Sequence, residues 1–244
     1  MIIELGKGQR AQTISDVVAI MTALDRELPE HDGVRRFNHL YLEVTRSVDH
    51  AVTTETFRDR AFLERLDVIF ANLYFDAVAA DSLDSKRVPG AWRPLFECRH
   101  RAGILPIQFA LAGMNAHINR DLPAGIVASY VATDGSPTQG GVRYDDFNKV
   151  NDLLEAVEEE IKGQFSTGIV AIVDAVGGDA DDAVAMWKVR AARETAWTNA
   201  EVLWALRTKP VLRDAFFSRL DSFTGFAGRG LLLRPGVRSL ETGA

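Results

Sequence analysis

Cysteine is almost absent from the sequence, and so is any long run of apolar residues. Cys98 is the single cysteine among 244 residues, so the chain can form neither an intrachain disulfide nor a zinc site built from a cysteine cluster. A membrane-spanning helix needs about 20 mostly apolar residues in succession, and no such run occurs. With 47% hydrophobic and 25% charged residues, the composition is typical of a globular protein rather than a disordered or fibrous one.

Positive charge is also scarce. The 28 Lys and Arg residues are outnumbered by 34 Asp and Glu residues, which gives a formal net charge of -6 at pH 7. Proteins that bind nucleic acid usually concentrate Lys and Arg on one face, so we expect no nucleic-acid partner. The first residues lack the basic start and apolar stretch of a signal peptide. We therefore expect a cytoplasmic protein that has no membrane partner.

Several common catalytic motifs are missing as well. The sequence contains no G-x-S-x-G elbow, no G-x-x-x-x-G-K phosphate loop, no H-E-x-x-H zinc motif and no G-x-G-x-x-G dinucleotide motif. A pair of Glu-x-x-His motifs, which would indicate a di-iron site in a helical bundle, is also absent. These absences narrow the range of reactions but select none.

Hydrophobic residues recur at helical spacing along most of the chain. Thr13, with Asp16 three positions on, is a candidate capping box for a first helix. Another helix is expected to begin near Thr56 or Asp59, and a short one lies within residues 89–101. Residues 104–118 are apolar on nearly every side, which is typical of a helix surrounded by other helices.

The second half of the chain is predicted to continue as helices. Pro123 should kink or end the central helix, and residues 133–142 should form a surface loop. Asp145 or Asp146 can cap the next helix. Residues 169–176 are predicted to be a short helix, Asp179 to open a long one, and Pro210 to open a last one that ends near Gly225.

Together these patterns predict an all-α protein. We expect one domain, residues 1–244, in which roughly eight to ten helices surround a buried central helix at about residues 104–122. A flexible tail is expected from about residue 228.

The strongest candidate for a chemical site lies at the end of the central helix. His117 and Asp121 are four residues apart, so their side chains can meet on one face, with Asn115 and Arg120 nearby. A buried imidazole beside a carboxylate can act as an oriented base or as a pair of metal ligands, here for a single divalent ion. The alternative interpretation is a core histidine that has its hydrogen bonds satisfied where the helix reaches water.

Further polar residues are expected to face the interior. Asp67 lies on the same face as aromatic residues of its helix, among them Tyr74, so it should meet a cation, a metal or hydrogen-bond donors; Arg120 or His117 would fit. Asn38 and Tyr41 lie beside an apolar stripe and could orient a ligand in an apolar pocket. Core hydrogen bonds or a buried ion pair explain these residues equally well.

Trp197 lies in the long Ala-rich helix near the end of the chain, between two acidic residues of the same face. Such a face could contribute to a site between helices, so Trp197 is a candidate for ligand binding. The alternative is a solvated charged face with a core tryptophan.

Four phrases of the sequence carry a resemblance to a known family. They are FNHLYLEVT (37–45), FLERLDVIFANLYF (62–75), AWRPLF (91–96) and FALAGMNAHINRDLP (109–123). Together they resemble an actinobacterial family known only as a domain of unknown function, family 5995. The resemblance implies a cytosolic helical protein and names no reaction. Asn38, Asp67, His117 and Asp121 match polar positions of the motif, whereas His39 stands where Arg is usual.

A fainter similarity concerns metal binding. The pair His117 and Asp121, followed by Pro123, is similar to a motif of the all-helical zinc phospholipase C and nuclease group. The chain lacks the additional histidines of a three-zinc cluster, so this similarity implies at most one metal ion.

Three functional hypotheses follow from the sequence. The first is an enzyme that acts on a small, largely apolar molecule by hydrolysis or proton transfer, with His117 as a base or as the ligand of one divalent metal. In this hypothesis Asp121 and Asp67 are further catalytic-site residues that orient His117 or complete the site. The second is a metal-free cyclase or isomerase of specialised metabolism. The third is a non-catalytic small-molecule binder or interaction protein. The expected partner is a small molecule, and a homodimer stays an open alternative.

Overall fold

The computed structural model describes residues 10–54, 57–152, 154 and 189–233. All regular secondary structure in these ranges is helical, which confirms the predicted all-α fold. No helix of this described part is long and apolar enough to cross a lipid bilayer. The helices are α1 (Ile14–Glu27), α2 (Gly33–Thr54), α3 (Arg60–Leu83), α4 (Arg93–Cys98), α5 (Pro106–Ala116), α6 (Leu122–Val131), α7 (142–152), α8 (Val189–Ala205) and α9 (Pro210–Leu231).

Side-chain caps begin the first and third helices where the sequence predicts them. Thr13 and Asp16 form a capping box at α1: the Asp16 N–H donates to the Thr13 hydroxyl (3.1 Å), and the Thr13 N–H donates to the Asp16 carboxylate (2.9 Å). Asp59 precedes α3 and accepts a hydrogen bond from the Phe62 N–H (3.1 Å). Both starting points are thereby confirmed.

Asp146 does not cap its own helix, contrary to the prediction. Helix α7 already begins at residue 142, so Asp146 lies inside it. The Asp146 side chain is fully buried, and its Oδ2 accepts hydrogen bonds from the N–H groups of Arg58 and Asp59, both at 2.8 Å. These N–H groups stand just before α3, where a helix start leaves donors without partners. Asp146 therefore ties α7 to the beginning of α3.

The central helix continues through Pro123 by means of one widened turn. Residues His117–Asp121 form a π-helical turn between α5 and α6, in which the Leu122 N–H donates to the His117 carbonyl. Proline lacks an N–H, and its ring clashes with the carbonyl four residues earlier in a regular α-helix. The wider turn makes room at this point. Such π turns occur often at functional sites.

Close contacts between helices place the central helix in the core. Helix α5 packs against α2 and α9, and α6 packs against α3 and α8. Gly113 on α5 is needed for one of these contacts, because a Cβ there would lie 2.3 Å from Cγ of Phe37 on α2. The close approach brings the α2 face that carries Phe37 and Tyr41 next to His117.

The last helix is longer than predicted. It does not end near Gly225, and the described residues beyond 228 are not a loose tail: α9 continues to Leu231. The Gln108 amide on α5 donates to the carbonyls of Leu231 (2.8 Å) and Leu233 (2.7 Å), and Leu232 is buried. These bonds to the final carbonyls hold the end of α9 on the core.

Two predicted elements fall outside the described residues. They are the short helix at residues 169–176 and the start of the long helix at Asp179. The described part of that long helix is α8. The predicted loop at residues 133–142 is confirmed at residues 132–141, where Gly135 and Gly140 adopt positive φ angles (102° and 76°).

Candidate functional site

A cavity of about 120 Å³ lies between helices α2, α3 and the central helix on one side and α7 and α8 on the other. Among the described residues its wall is apolar except for four side chains: Tyr41, Asp67, His117 and Arg193. The apolar lining consists of Phe37, Leu40, Val44, Val48, Leu63, Leu66, Phe70, Met114, Ile118, Leu122, Phe147, Val150, Leu154 and Val189. An apolar cavity with a few convergent polar groups is the usual form of a small-molecule site.

Three of the six buried side-chain polar atoms that lack a hydrogen-bond partner in the described part of the chain belong to residues that line this cavity. Tyr41 Oη, Asp67 Oδ2 and His117 Nε2 are all buried and have no hydrogen-bond partner. Buried polar atoms normally have partners, and leaving one unpaired costs about 1–3 kcal/mol. A molecule bound in the cavity could supply hydrogen-bond partners to these three side chains.

His117 is held in one orientation by its surroundings. Its side chain is almost fully buried, and its ring stacks on Phe70 with the centroids 3.5 Å apart and the planes 6° from parallel. The Tyr41 ring meets it at a centroid distance of 4.6 Å. The Nδ1–H of His117 donates to Asp121 Oδ2 (3.1 Å), so the predicted contact across four residues is present. The other ring nitrogen, Nε2, is buried and has no hydrogen-bond partner among the described residues.

The charge state of His117 is set mainly by burial. Burial lowers the pKa of His117 below its usual value, and the hydrogen bond and negative charge of Asp121 offset this only in part. The imidazole is therefore neutral at neutral pH, with the proton on the nitrogen that faces Asp121. A neutral imidazole with a free Nε2 can accept a proton.

Asp121 is fixed by donors from three side chains. Besides His117 Nδ1, the Trp92 indole N–H donates to Oδ2 (2.8 Å) and the Arg120 guanidinium to Oδ1 (2.5 Å). Arg120 also donates through Nε to Asp221 on α9 (3.1 Å). Asp121 itself is fully buried. A carboxylate with this many donors keeps its position and therefore orients His117 firmly.

Asp67 contributes a second ionisable group to the cavity. Part of its side chain stays accessible along the cavity wall, whereas Oδ2 is buried. Burial raises the pKa of Asp67 to about 7; the negative charge of Asp49 adds to this, and the positive charge of Arg193 opposes it. The expected pairing with Arg120 is not found, because Arg120 is bound to Asp121 and Asp221. At neutral pH the Asp67 carboxyl therefore exchanges readily between its charged and neutral forms.

Tyr41 adds a neutral hydroxyl group. Burial raises the pKa of Tyr41 well above its usual value, and the negative charges of Asp67 and Asp121 raise it further. The phenol therefore keeps its proton and can donate a hydrogen bond to a ligand oxygen.

The sequence did not identify Arg193 as a site residue. It lies on α8, is 8% exposed and lines the cavity. The local signal was an arginine one helical turn before a core tryptophan, Trp197, on a helix rich in Ala. This signal is weak, because a long Arg side chain on such a helix usually reaches water.

Two of the predicted ligand-binding residues serve the core instead. The Asn38 amide donates to the Met21 carbonyl (2.9 Å) and its oxygen accepts from the Tyr74 hydroxyl (3.3 Å). Neither Asn38 nor Tyr74 lines the cavity. Their hydrogen bonds fasten α2 to α1 and α3, which fixes the position of Tyr41 on the next turn of α2.

The remaining candidates also lie away from the cavity wall. Asn115 donates to the Thr224 carbonyl on α9 (2.9 Å), and Arg120 faces α9 as well. Trp197 is fully buried and does not line the cavity; its nearest ring is Phe147, which does, at a centroid distance of 4.9 Å. These residues build the surroundings of the site and do not line it.

The geometry also bears on the metal hypothesis. Within residues 10–54, 57–152, 154 and 189–233, no three His, Cys, Asp or Glu side chains are close enough to hold one ion together. Because Nδ1 of His117 is bonded to Asp121, an ion on His117 would have to bind Nε2, on the other edge of the ring. Asp121 would then orient the metal-binding imidazole through its hydrogen bond to Nδ1, as carboxylates commonly do in metal sites.

Comparisons with known proteins identify a family but no activity. A model described as a family of unknown function, DUF5995, matches residues 14–234. Neither a curated protein nor a solved structure shows significant similarity to the chain.

Proposed function

The chain belongs to this family of unknown function, and we propose that it is an enzyme that transfers a proton on a small, largely apolar substrate. The observation that carries the proposal is that three side chains with an unpartnered buried polar atom, Tyr41, Asp67 and His117, line one apolar cavity. In this proposal His117 is the base, Asp67 is the acid and Asp121 positions the base.

His117 has the properties of a general base. His117 lines the cavity, its Nε2 has no hydrogen-bond partner among the described residues, and burial keeps the ring neutral until it takes a proton. When Nε2 accepts the proton, the ring becomes positive beside the Asp121 carboxylate, which stabilises that charge. Trp92 and Arg120 hold the carboxylate in place while this happens.

Asp67 has the properties of a general acid on the same cavity. Because the pKa of Asp67 is about 7, a large fraction of the protein molecules carry a proton on this carboxyl group at neutral pH. Two ionisable groups in one site, one held neutral as a base and one protonated as an acid, are the usual arrangement for proton transfer. The Tyr41 hydroxyl can donate to an oxygen of the substrate as negative charge develops there.

The reaction class that fits these groups is an isomerisation or cyclisation next to a carbonyl. On a ketone with a carbon–carbon double bond one carbon away from the carbonyl, His117 Nε2 removes a proton from the carbon between the two groups, and the electron pair moves onto the carbonyl oxygen. Asp67 then gives a proton to the far carbon of the double bond as the carbonyl re-forms, so the double bond moves next to the carbonyl. Proton exchange with water then restores both residues. No Ser, Thr, Cys or Lys is among the described residues that line the cavity, so the site offers no common hydroxyl, thiol or amine nucleophile.

A metal-dependent form of the proposal uses the same residues. His117 Nε2 and Asp67 would then be the protein ligands of one divalent ion, and a bound water would perform hydrolysis or proton transfer. The isomerase form is favoured, because three or more close ligand side chains are the common pattern for catalytic zinc and none is found among the described residues.

Hydrogen–deuterium exchange into small ketones tests the proposal without knowledge of the natural substrate. The protein is incubated in D2O with a panel of one-ring ketones such as cyclohexanone and phenylacetone, and loss of the proton signal beside the carbonyl is followed by NMR. Wild type should accelerate exchange, and His117→Asn should not. His31→Asn, the same change at an exposed histidine, is the matched control and should behave as wild type.

The outcomes separate the competing functions. Exchange that is unaffected by chelator supports the isomerase form, and exchange that requires an added divalent metal supports the metal form. Wild type that exchanges no ketone faster than His117→Asn does contradicts the proton-transfer proposal. If ligands bind under those conditions, the protein is a non-catalytic binder.

A further inference from the structure

Arg193 places a fixed positive charge in the cavity wall. Its Nε donates to Asn151 Oδ1 (2.6 Å) and its Nη2 to the Phe147 carbonyl (3.1 Å), and its guanidinium carbon lies 4.0 Å from the centroid of the Phe147 ring. Its Nη1 makes no hydrogen bond to the described part of the chain. These contacts hold the guanidinium in place, and the N–H groups of Nη1 make no hydrogen bond within the described residues.

Within the part of the chain that the structure describes, this charge has no carboxylate partner in contact with it. Arg193 forms no ion pair with any acidic side chain of the described ranges, although Asp67 lies near enough to act on it through space. Burial lowers the pKa of Arg193 to about 9, so the group is still positive at neutral pH. Buried charges are normally paired, because an unpaired one is expensive. The cavity therefore has a place for a negative group.

The size and the lining of the cavity limit what can carry that negative group. At about 120 Å³, the cavity is of the order of an engineered protein cavity of about 150 Å³ that binds benzene. Its walls are aliphatic and aromatic apart from the four polar side chains. The ligand should therefore have an apolar body of about one six-membered ring and a single anionic group.

We propose that the cavity binds a small monocarboxylic acid with a one-ring apolar body, whose carboxylate pairs with Arg193. Charged hydrogen bonds between a guanidinium and a carboxylate are strong and directional. The inference rests on the proposed function, because it names the substrate class of the same site: Arg193 anchors the acid group, and His117 and Asp67 act on the carbon skeleton.

Binding of matched small molecules tests the proposal directly. Calorimetry measures the affinity of wild type for benzoate, phenylacetate and cyclohexanecarboxylate, and for benzamide and benzylamine, which are neutral and cationic analogues of similar size. The carboxylates should bind about tenfold or more tightly than benzamide, because one charged hydrogen bond exceeds a neutral one by about that factor. Benzylamine should bind more weakly than benzamide.

Three variants locate the binding. Arg193→Met keeps an apolar side chain of similar length and should reduce the preference for carboxylate over amide to about twofold or less. Arg190→Met, the same change one turn earlier on α8, should leave that preference unchanged. Val44→Phe fills the cavity from α2 and should abolish binding of all the compounds.

The result that overturns the inference is wild type that binds benzamide as tightly as benzoate, or that binds no carboxylate. Equal carboxylate preference in wild type and Arg193→Met also overturns it. If Arg193→Met does not fold, the comparison of benzoate with benzamide on wild type decides alone. Ketone exchange without carboxylate preference refutes only this inference, whereas carboxylate binding without ketone exchange refutes only the proposed proton transfer.

Discussion

Asp67→Asn should gain stability relative to wild type as the pH rises from mildly acidic to mildly alkaline. In the folded protein the pKa of Asp67 is about 7, against a usual value of 3.8. The folded state thus binds this proton more tightly than the unfolded state does. Wild-type stability contributed by this group is fully present below about pH 4 and is lost as the pH rises through about 7.

The magnitude follows from the two pKa values. The difference between about 7 and 3.8, at about 1.4 kcal/mol per pH unit, gives a total loss of about 4 kcal/mol. About 2–3 kcal/mol of that loss falls between pH 5 and pH 8. Asparagine has nearly the same shape and cannot ionise, so Asp67→Asn removes this part of the pH dependence.

Urea unfolding followed by circular dichroism at about pH 5 and about pH 8 measures the effect. The free energy of unfolding of Asp67→Asn minus that of wild type should increase by about 2–3 kcal/mol between the two conditions. Asp214→Asn, the same change at an exposed carboxylate, should show no such increase. A difference that stays constant from pH 5 to pH 8, or that falls, refutes the assignment of Asp67 as a buried carboxyl with a raised pKa.

Three further substitutions test the contacts that support the site. Gly225→Ala should destabilise the protein by about 1–3 kcal/mol in thermal unfolding, because its Cβ would lie 2.4 Å from the backbone carbonyl of Gly90; unchanged stability would contradict that close contact. Asp146→Ala should cost about 1–3 kcal/mol in urea unfolding, since two N–H groups before α3 lose their buried acceptor; a cost near zero would mean that water replaces it. Gln108→Leu should speed hydrogen exchange at the end of α9, because the Leu231 carbonyl loses its donor; unchanged exchange there would show that the helix end is held by packing alone.

Local sequence patterns were sufficient to predict the helices and one contact of the site. Periodicity depends only on which residues share a face, so the all-α fold and the starts of α1 and α3 could be read from neighbouring residues. The contact between His117 and Asp121 is of the same local kind. The π turn changes the helix between them but keeps the two side chains together.

The contacts between distant segments could not be read in this way. Arg120 was expected near Asp67, but it binds Asp221 on α9, because the packing of α9 against the central helix decides which acid it meets. Arg193 joins the cavity only because α8 packs on the central helix. A long cationic side chain gives the same local signal whether it reaches water or lines a cavity, so packing alone reveals its role.

The end of α9 illustrates a similar limit. Its three late glycines, Gly225, Gly228 and Gly230, predict a helix end from local propensity, since glycine weakens a helix. In the structure the small residues let α9 approach α4 and the central helix closely, and tertiary contacts outweigh the propensity. The site depends on this approach, because Asp221 on α9 holds Arg120, which in turn holds Asp121.

Stability alone gives no account of the polar side chains of the cavity. Three unpartnered buried atoms cost about 3–9 kcal/mol together, against a typical total stability of about 5–15 kcal/mol for a folded domain. Apolar side chains at Tyr41, Asp67 and His117 would avoid that cost. A ligand that supplies an oxygen or an N–H to these atoms recovers much of it, so the same groups that destabilise the empty protein favour binding. The arrangement is therefore best understood as preparation for a ligand that completes the hydrogen bonding.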